Sequence, residues 1–206
     1  MENRTGKNNM DNKKFLHTII SNIIWYTTPK CGSRTLHNIF RENNINFPTE
    51  KYTQVPNFAK NYFSFSIVRN PWDRLVSCWM QKIIRQEPTE KQFRKGTRWE
   101  LNYQKPSFKD FTRIISDDEN ITKDKHWDLY FNIIPVSDID FIGRFENLQE
   151  DFNTICDKIG IPQQKLPHKN KSKHKHYTEY YDEETKQIVA ERYAKDIEYF
   201  GYKYGE

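Results

Sequence analysis

Cys31, Cys78 and Cys156 are the only cysteines in 206 residues, and no two of them form a CxxC pair. That scarcity excludes a disulfide framework and a cysteine-based zinc site, and it fits a reducing compartment. No stretch approaches the length of a membrane-crossing helix, and the opening MENRTGKNNMDNKKF lacks the apolar core of a secretory leader. A soluble, cytoplasmic protein is therefore expected. There are no internal repeats, no zinc-finger or RNA-recognition signature, and no His/Cys/carboxylate cluster that implies a metal. A net charge of +5 spread along the chain suits a small anionic ligand better than a nucleic-acid polymer. Also missing is GxxxxGK[ST], the loop that cradles nucleoside triphosphates.

The sequence has 35% hydrophobic residues, enough for one buried core and too few residues for two comfortable domains. Residues 1–14 are Asn- and Lys-rich and read as a mobile tail, and residues 15–206 read as one domain. Ile19 to Phe40, IISNIIWYTTPKCGSRTLHNIF, sets the pattern for the rest: an apolar β-branched and aromatic run, a short polar turn, then a helical repeat through Leu36, Ile39 and Phe40. Where a strand hands over to a helix, the first backbone N–H groups lack internal partners and the helix dipole is positive. A phosphate or sulfate satisfies both. Lys30 adds a full charge there, and Ser33 and Thr35 add hydroxyls.

A second unit follows in the same order. YFSFSIV, Tyr62 to Val68, reads as a strand, Pro71 suits a first helical turn, and Trp72, Leu75, Val76, Trp79, Met80 and Ile83 recur at helical spacing to about Arg85. Gln86 to Pro106 reads as a charged loop, Phe108 to Ile115 as a short helix, Asp140 to Arg144 as a short strand, and Glu146 to Ile159 as a helix capped by Gly160. Asp182 to Tyr199 supplies the last helices. Alternating strands and helices predict an α/β fold with a central, mainly parallel sheet flanked by helices.

PKCGSRTL, with Lys30 ahead of Gly32, resembles the 5′-phosphosulfate loop of sulfotransferases that use 3′-phosphoadenosine-5′-phosphosulfate (PAPS), and SIVRNPWDRLVSCWMQK resembles their 3′-phosphate segment. DFIGRFENLQEDFNTICDKIGIP and the C-terminal NKSKHKHYTEYYDEETKQIVAERYAKDIEYFGY are similar to the carbohydrate-directed branch, so the resemblance runs from about Ile19 to Tyr202. It implies a P-loop-NTPase-like three-layer core, PAPS as donor, a carbohydrate hydroxyl as acceptor and no metal. Lys30, Cys31, Gly32, Ser33, Arg34 and Thr35 are then expected around the 5′-phosphosulfate, with Arg69 and Ser77 on the 3′-phosphate. The RKGxxG loop of the cytosolic small-molecule enzymes is absent, and Lys171, Ser172 and Lys173, within a basic run, are the candidates to cover the nucleotide in its place.

Sulfuryl transfer builds charge on the leaving 5′-phosphate, so Lys30 is the expected electrostatic catalyst. The acceptor hydroxyl also needs a base, and His126 is the first choice because an HW pair stands at the same place in the carbohydrate branch. Competing readings are a salt bridge from Arg69 to Asp73, a solvated or back-bonded Ser77, and a His126 that only packs beside Trp127. His37 should face sideways, and Cys31 should be a bystander despite its helix terminus. Two other functions are weighed: a non-catalytic nucleotide- or glycan-binding protein on the same fold, and a P-loop nucleotide kinase, which the position of Lys30 disfavours.

Overall fold

The computed structural model describes residues 18–20, 22–47, 55–85, 105–117, 124–167 and 175–206. The expected N-terminal tail, most of the Gln86 to Pro106 loop, and Lys171, Ser172 and Lys173 lie outside these residues. The fold is α/β. Four short strands, β1 (Thr18–Ile20), β2 (Ile23–Trp25), β3 (Phe63–Val68) and β4 (Phe141–Arg144), form one sheet in that order. β1 pairs antiparallel with β2, and the β2–β3 and β3–β4 pairs are parallel. The sheet is therefore mixed.

Seven α-helices connect and cover it among the described residues: α1 (Ser33–Glu42), α2 (Pro71–Trp79), α3 (Phe108–Asp117), α4 (Tyr130–Ile133), α5 (Leu148–Ile159), α6 (Glu183–Arg192) and α7 (Ala194–Phe200). No helix of the described residues is long and apolar enough to cross a membrane.

The opening apolar run differs from its sequence reading. IISNII is not one strand but a tight hairpin, with Ile20 opposite Ile23 and Thr18 opposite Trp25. Its β-branched residues pair across the reversal, which an apolar pattern without Gly or Pro does not announce.

Alternation decides which side chains build the core around the site. Trp25 and Phe65 share one face of the sheet and stack at 5.6 Å, and Phe40 of α1 meets both, at 5.6 and 6.0 Å. Phe152 of α5 then packs on Phe40 at 5.8 Å. Each fully buried ring of this kind contributes about 1.5 to 3 kcal/mol over an exposed one. α1 and α5 are thereby fixed on a common face, which sets the position of the turn ahead of α1. Gly143 of β4 is tight for the same reason, since a Cβ there would lie 2.7 Å from Ile67 and 2.9 Å from Asp151.

The second helix starts as its sequence suggests. Asn70 caps α2 by accepting from the Trp72 N–H at 3.1 Å, and Pro71 occupies the first turn. Its continuation is a π-helix over Met80–Ile84, closed by Arg85 N–H donating to the Met80 carbonyl at 3.0 Å. Such wider turns are rare and are found frequently at functional sites.

Candidate active site

The turn between β2 and α1 is built from two left-handed residues, Lys30 at φ 71° and Gly32 at φ 77°. Gly32 serves as the N-cap of α1 and supplies no side-chain bond to it, and the first turn carries no acidic residue. The Gly32 carbonyl accepts from the N–H groups of Thr35 (2.9 Å) and Leu36 (3.2 Å). The N–H groups of Gly32, Ser33 and Arg34 have no acceptor among the described residues. Alternating handedness of this kind turns successive amides toward one concave side, a cradle whose geometry suits an anion at the positive end of a helix. Gly32 is required twice over: for its φ, and because a Cβ would sit 2.9 Å from Leu148.

A left-handed Lys is strained, and a long-range contact holds it. Arg69, at the end of β3 and only 6% exposed, donates from Nη1 to the Lys30 carbonyl at 3.0 Å. Its Nε and Nη2 bond Asp73 at 2.8 and 2.7 Å, and its plane lies 4.2 Å from the Phe145 ring centre. The salt bridge considered from the sequence is therefore present. A guanidinium has five N–H donors, so the contacts to Asp73 and Lys30 still leave donors for a phosphate.

Lys30 Nζ donates to Gln81 Oε1 at 2.7 Å, across to the π-helix. Burial, with smaller contributions from the Arg69 and Lys82 charges, lowers its pKa to about 8. Gln81 is four residues beyond Ser77, so the two share a face of the helix. Ser77 is 8% exposed, and its hydroxyl has no partner among the described residues. Lys30 thus reaches Gln81 four residues beyond Ser77, and Arg69 is tied to α2 through Asp73 four residues before Ser77.

Cys31 is buried, its thiol bonded to Tyr130 Oη at 3.2 Å and directed at the Pro29 carbonyl at 3.3 Å. Burial pushes its pKa up, which favours the neutral thiol over the thiolate. Ser33 is partly buried, Arg34 is exposed and Thr35 is buried, so Ser33 and Arg34 offer accessible donors at the mouth of the cradle. His37 faces away, its ring 4.4 Å from Trp25 and 6.2 Å from Phe47.

His126 lies in a turn after residue 124. Its Nδ1 is 2.6 Å from Asp124 Oδ1, which also accepts the His126 backbone N–H at 2.9 Å. Burial alone would raise the Asp124 pKa, but these two bonds and the charges of His126 and Lys82 leave it below its usual value. An ionised Asp124 accepts only, so the bond calls for a proton on Nδ1, and in the neutral ring that leaves the lone pair on Nε2. The ring is not stacked on Trp127, whose centre is 6.4 Å away at a 45° tilt. Lys82 is electrostatically coupled to both Lys30 and Asp124, and Cys78 senses both, so the His126 turn and the anion cradle border the same stretch of helix.

Sequence reasoning missed Tyr130, Arg74 and Gln81. Tyr130 Oη accepts from the Arg69 N–H at 2.8 Å and donates toward the Arg69 carbonyl at 3.1 Å while touching Cys31. No local motif points to any of the three, because their partners are 51 to 99 residues away. Among the described residues no group of three or more His, Cys, Asp or Glu side chains is placed to hold a metal ion.

A sequence model of the sulfotransferase family matches residues 15–203. The chain is similar to carbohydrate sulfotransferase 14 of Danio rerio, 28% identical over 122 residues that make 53% of this chain and 33% of the relative. It is similar to carbohydrate sulfotransferase 9 of Homo sapiens, 29% identical over 163 residues, 71% of this chain and 34% of the relative. Carbohydrate sulfotransferase 10 of Xenopus laevis is 28% identical over 172 residues, 69% of this chain and 48% of the relative. The chain therefore spans a third to a half of the length of these relatives. No solved structure matches it.

Proposed function

The chain belongs to the sulfotransferase family, and from that premise we propose that it moves a sulfuryl group from PAPS to a hydroxyl of a carbohydrate acceptor. The acceptor class comes from the relatives, which are named as carbohydrate sulfotransferases. The observation that carries the chemistry is the cradle itself: unpartnered amides at the start of α1, a left-handed Lys30, and Arg69 locked to the same turn. We read this strand, turn and helix as a P-loop-like element of a three-layer core, with residues 15–206 acting as one domain.

In this reading Arg69 and Ser77 hold the 3′-phosphate, and the amides and hydroxyls of Ser33 to Thr35 hold the 5′-phosphosulfate. The acceptor oxygen attacks sulfur as the bond from sulfur to the 5′-phosphate oxygen breaks, and that bond's electron pair leaves with the phosphate. Lys30 exchanges Gln81 for the leaving oxygen and neutralises its growing charge. The acceptor's proton passes to His126 Nε2, and Asp124 on Nδ1 steadies the imidazolium. The products are a sulfate ester and adenosine 3′,5′-bisphosphate.

The test compares thermal stabilisation by adenosine 3′,5′-bisphosphate with that by ATP and Mg²⁺, then follows sulfate from PAPS into a panel of glycans. Stabilisation by the bisphosphate together with sulfate transfer supports the proposal. Stabilisation without transfer to any glycan points to a binding protein, and preference for ATP with Mg²⁺ points to a kinase.

A further inference from the structure

We propose that Arg74 is a positioning residue that ties the His126 turn to the nucleotide loops; the proposal rests on the reading of His126 as the base. Arg74 is 1% exposed in the interior of α2. No carboxylate of the described residues bonds it, and its Nε has no partner there. Burying a cation this way is costly, and an apolar side chain of similar volume is often as good or better for stability.

What the guanidinium does instead is geometric. Nη1 donates to the Asp128 carbonyl at 2.8 Å and Nη2 to the Lys125 carbonyl at 2.9 Å, the two carbonyls that bracket His126 and Trp127. The Trp127 carbonyl between them is taken by Tyr193 Oη at 2.5 Å and Arg192 at 3.2 Å. The flat face of Arg74 lies 4.3 Å from the Tyr130 ring centre. Tyr130 is the residue whose hydroxyl joins Cys31 of the cradle to both backbone groups of Arg69. One planar side chain therefore grips the turn of the base with its edge and the clasp of the nucleotide loops with its face. Lysine cannot do this, having no plane to stack and no rigid fork to span two separate carbonyls.

Arg74→Lys keeps the buried charge and loses the fork. Three quantities are measured on the whole chain: affinity for adenosine 3′,5′-bisphosphate, kcat for sulfate transfer, and the ring Cε1–Hε1 resonance of His126 in ¹³C-labelled protein, assigned by its loss in His126→Asn. Nucleotide affinity should stay within about threefold, because the direct phosphate contacts are untouched. The His126 resonance should move or broaden, and kcat should fall about 10- to 100-fold, since a shift of about 1 Å in a reacting group costs up to about 10² in rate.

A merely structural Arg74 would lower Tm and leave both the resonance and kcat in place. An unmoved His126 resonance overturns the proposal whatever turnover does. If His126→Asn turns over normally, the base assignment falls, and the ring resonance alone then decides the role of Arg74. Should Arg74→Lys fail to fold, Arg74→Gln, which retains a two-hydrogen donor, is measured in the same three ways, and an unmoved His126 resonance in that variant overturns the proposal equally.

Discussion

Binding of adenosine 3′,5′-bisphosphate should draw a proton from solution at mildly alkaline pH, and Lys30 should be where it lands. Burial lowers the pKa of this lysine from 10.5 to about 8. A 5′-phosphate in the cradle replaces lost hydration with a neighbouring anion, which favours the ammonium and returns the pKa toward its ordinary value. At pH 8.5 a group of pKa about 8 is about one quarter protonated, so restoring it binds about three quarters of a proton; at pH 7 the uptake is only about a tenth. The nearby thiols do not blur this, because burial pushes Cys78 to about 12 and raises Cys31. The nucleotide's phosphates are already fully ionised at that pH, their second pKa being near 6. Calorimetry in buffers of different ionisation enthalpy reads the uptake as a slope, which should be steep at pH 8.5, shallow at pH 7 and absent in Lys30→Met. A flat slope at pH 8.5, or one that survives in Lys30→Met, would refute both the location of Lys30 and its role at the 5′-phosphate. The same equilibrium sets an alkaline limb for kcat/KM, with activity falling as pH rises through about 8 in the free protein.

Arg69→Ala should erase the preference for adenosine 3′,5′-bisphosphate over adenosine 5′-phosphate, a loss of about 1.5 to 3 kcal/mol, and a mutant that still discriminates by calorimetry would remove Arg69 from the 3′-phosphate. Gly32→Ala should cost about 1 to 2 kcal/mol for the left-handed backbone and more in nucleotide affinity than in Tm, because the cradle must twist to relieve the contact with Leu148; equal losses in both would make Gly32 a packing residue only. Lys30→Ala should depress kcat far more than PAPS affinity, and a raised KM with unchanged kcat would confine Lys30 to ground-state binding.

Much of the fold was legible because its signals are local. Pro71 at a first turn, Gly160 at a left-handed helix end, and the buried stripe of Leu36, Ile39 and Phe40 on α1 each mark an element within a few residues of themselves. The hairpin inside IISNII was not legible, since its reversal carries no Gly or Pro. Nor was the π-helix at Met80–Ile84, whose wider hydrogen-bond spacing leaves no distinct apolar period over five residues. The site divides the same way. Residues proposed to hold the anion sit in short motifs, whereas Tyr130, Gln81 and Arg74 are joined to their partners by the path of the chain.

Arg69 shows why a motif can pose a question that only the folded chain answers. From the sequence, a phosphate fork and a salt bridge to Asp73 were rival uses of one side chain. Folded, Asp73 takes Nε and Nη2, Lys30 takes one hydrogen of Nη1, and Phe145 covers one face of the plane. These contacts do not consume the fork; they fix its orientation before any ligand arrives, so less side-chain entropy is lost when a phosphate binds. They also make Arg69 a brace for the strained Lys30 turn. Changing Arg69 should therefore weaken the 5′-phosphosulfate cradle as well as the 3′-phosphate contact, whereas Asp73→Asn, which keeps an acceptor for Arg69 and removes the competing charge, should leave the preference for the 3′-phosphate in place. If Asp73→Asn instead erased that preference as fully as Arg69→Ala, the orientation of the fork would depend on the carboxylate charge, and the Lys30 carbonyl and the Phe145 ring would contribute little to it.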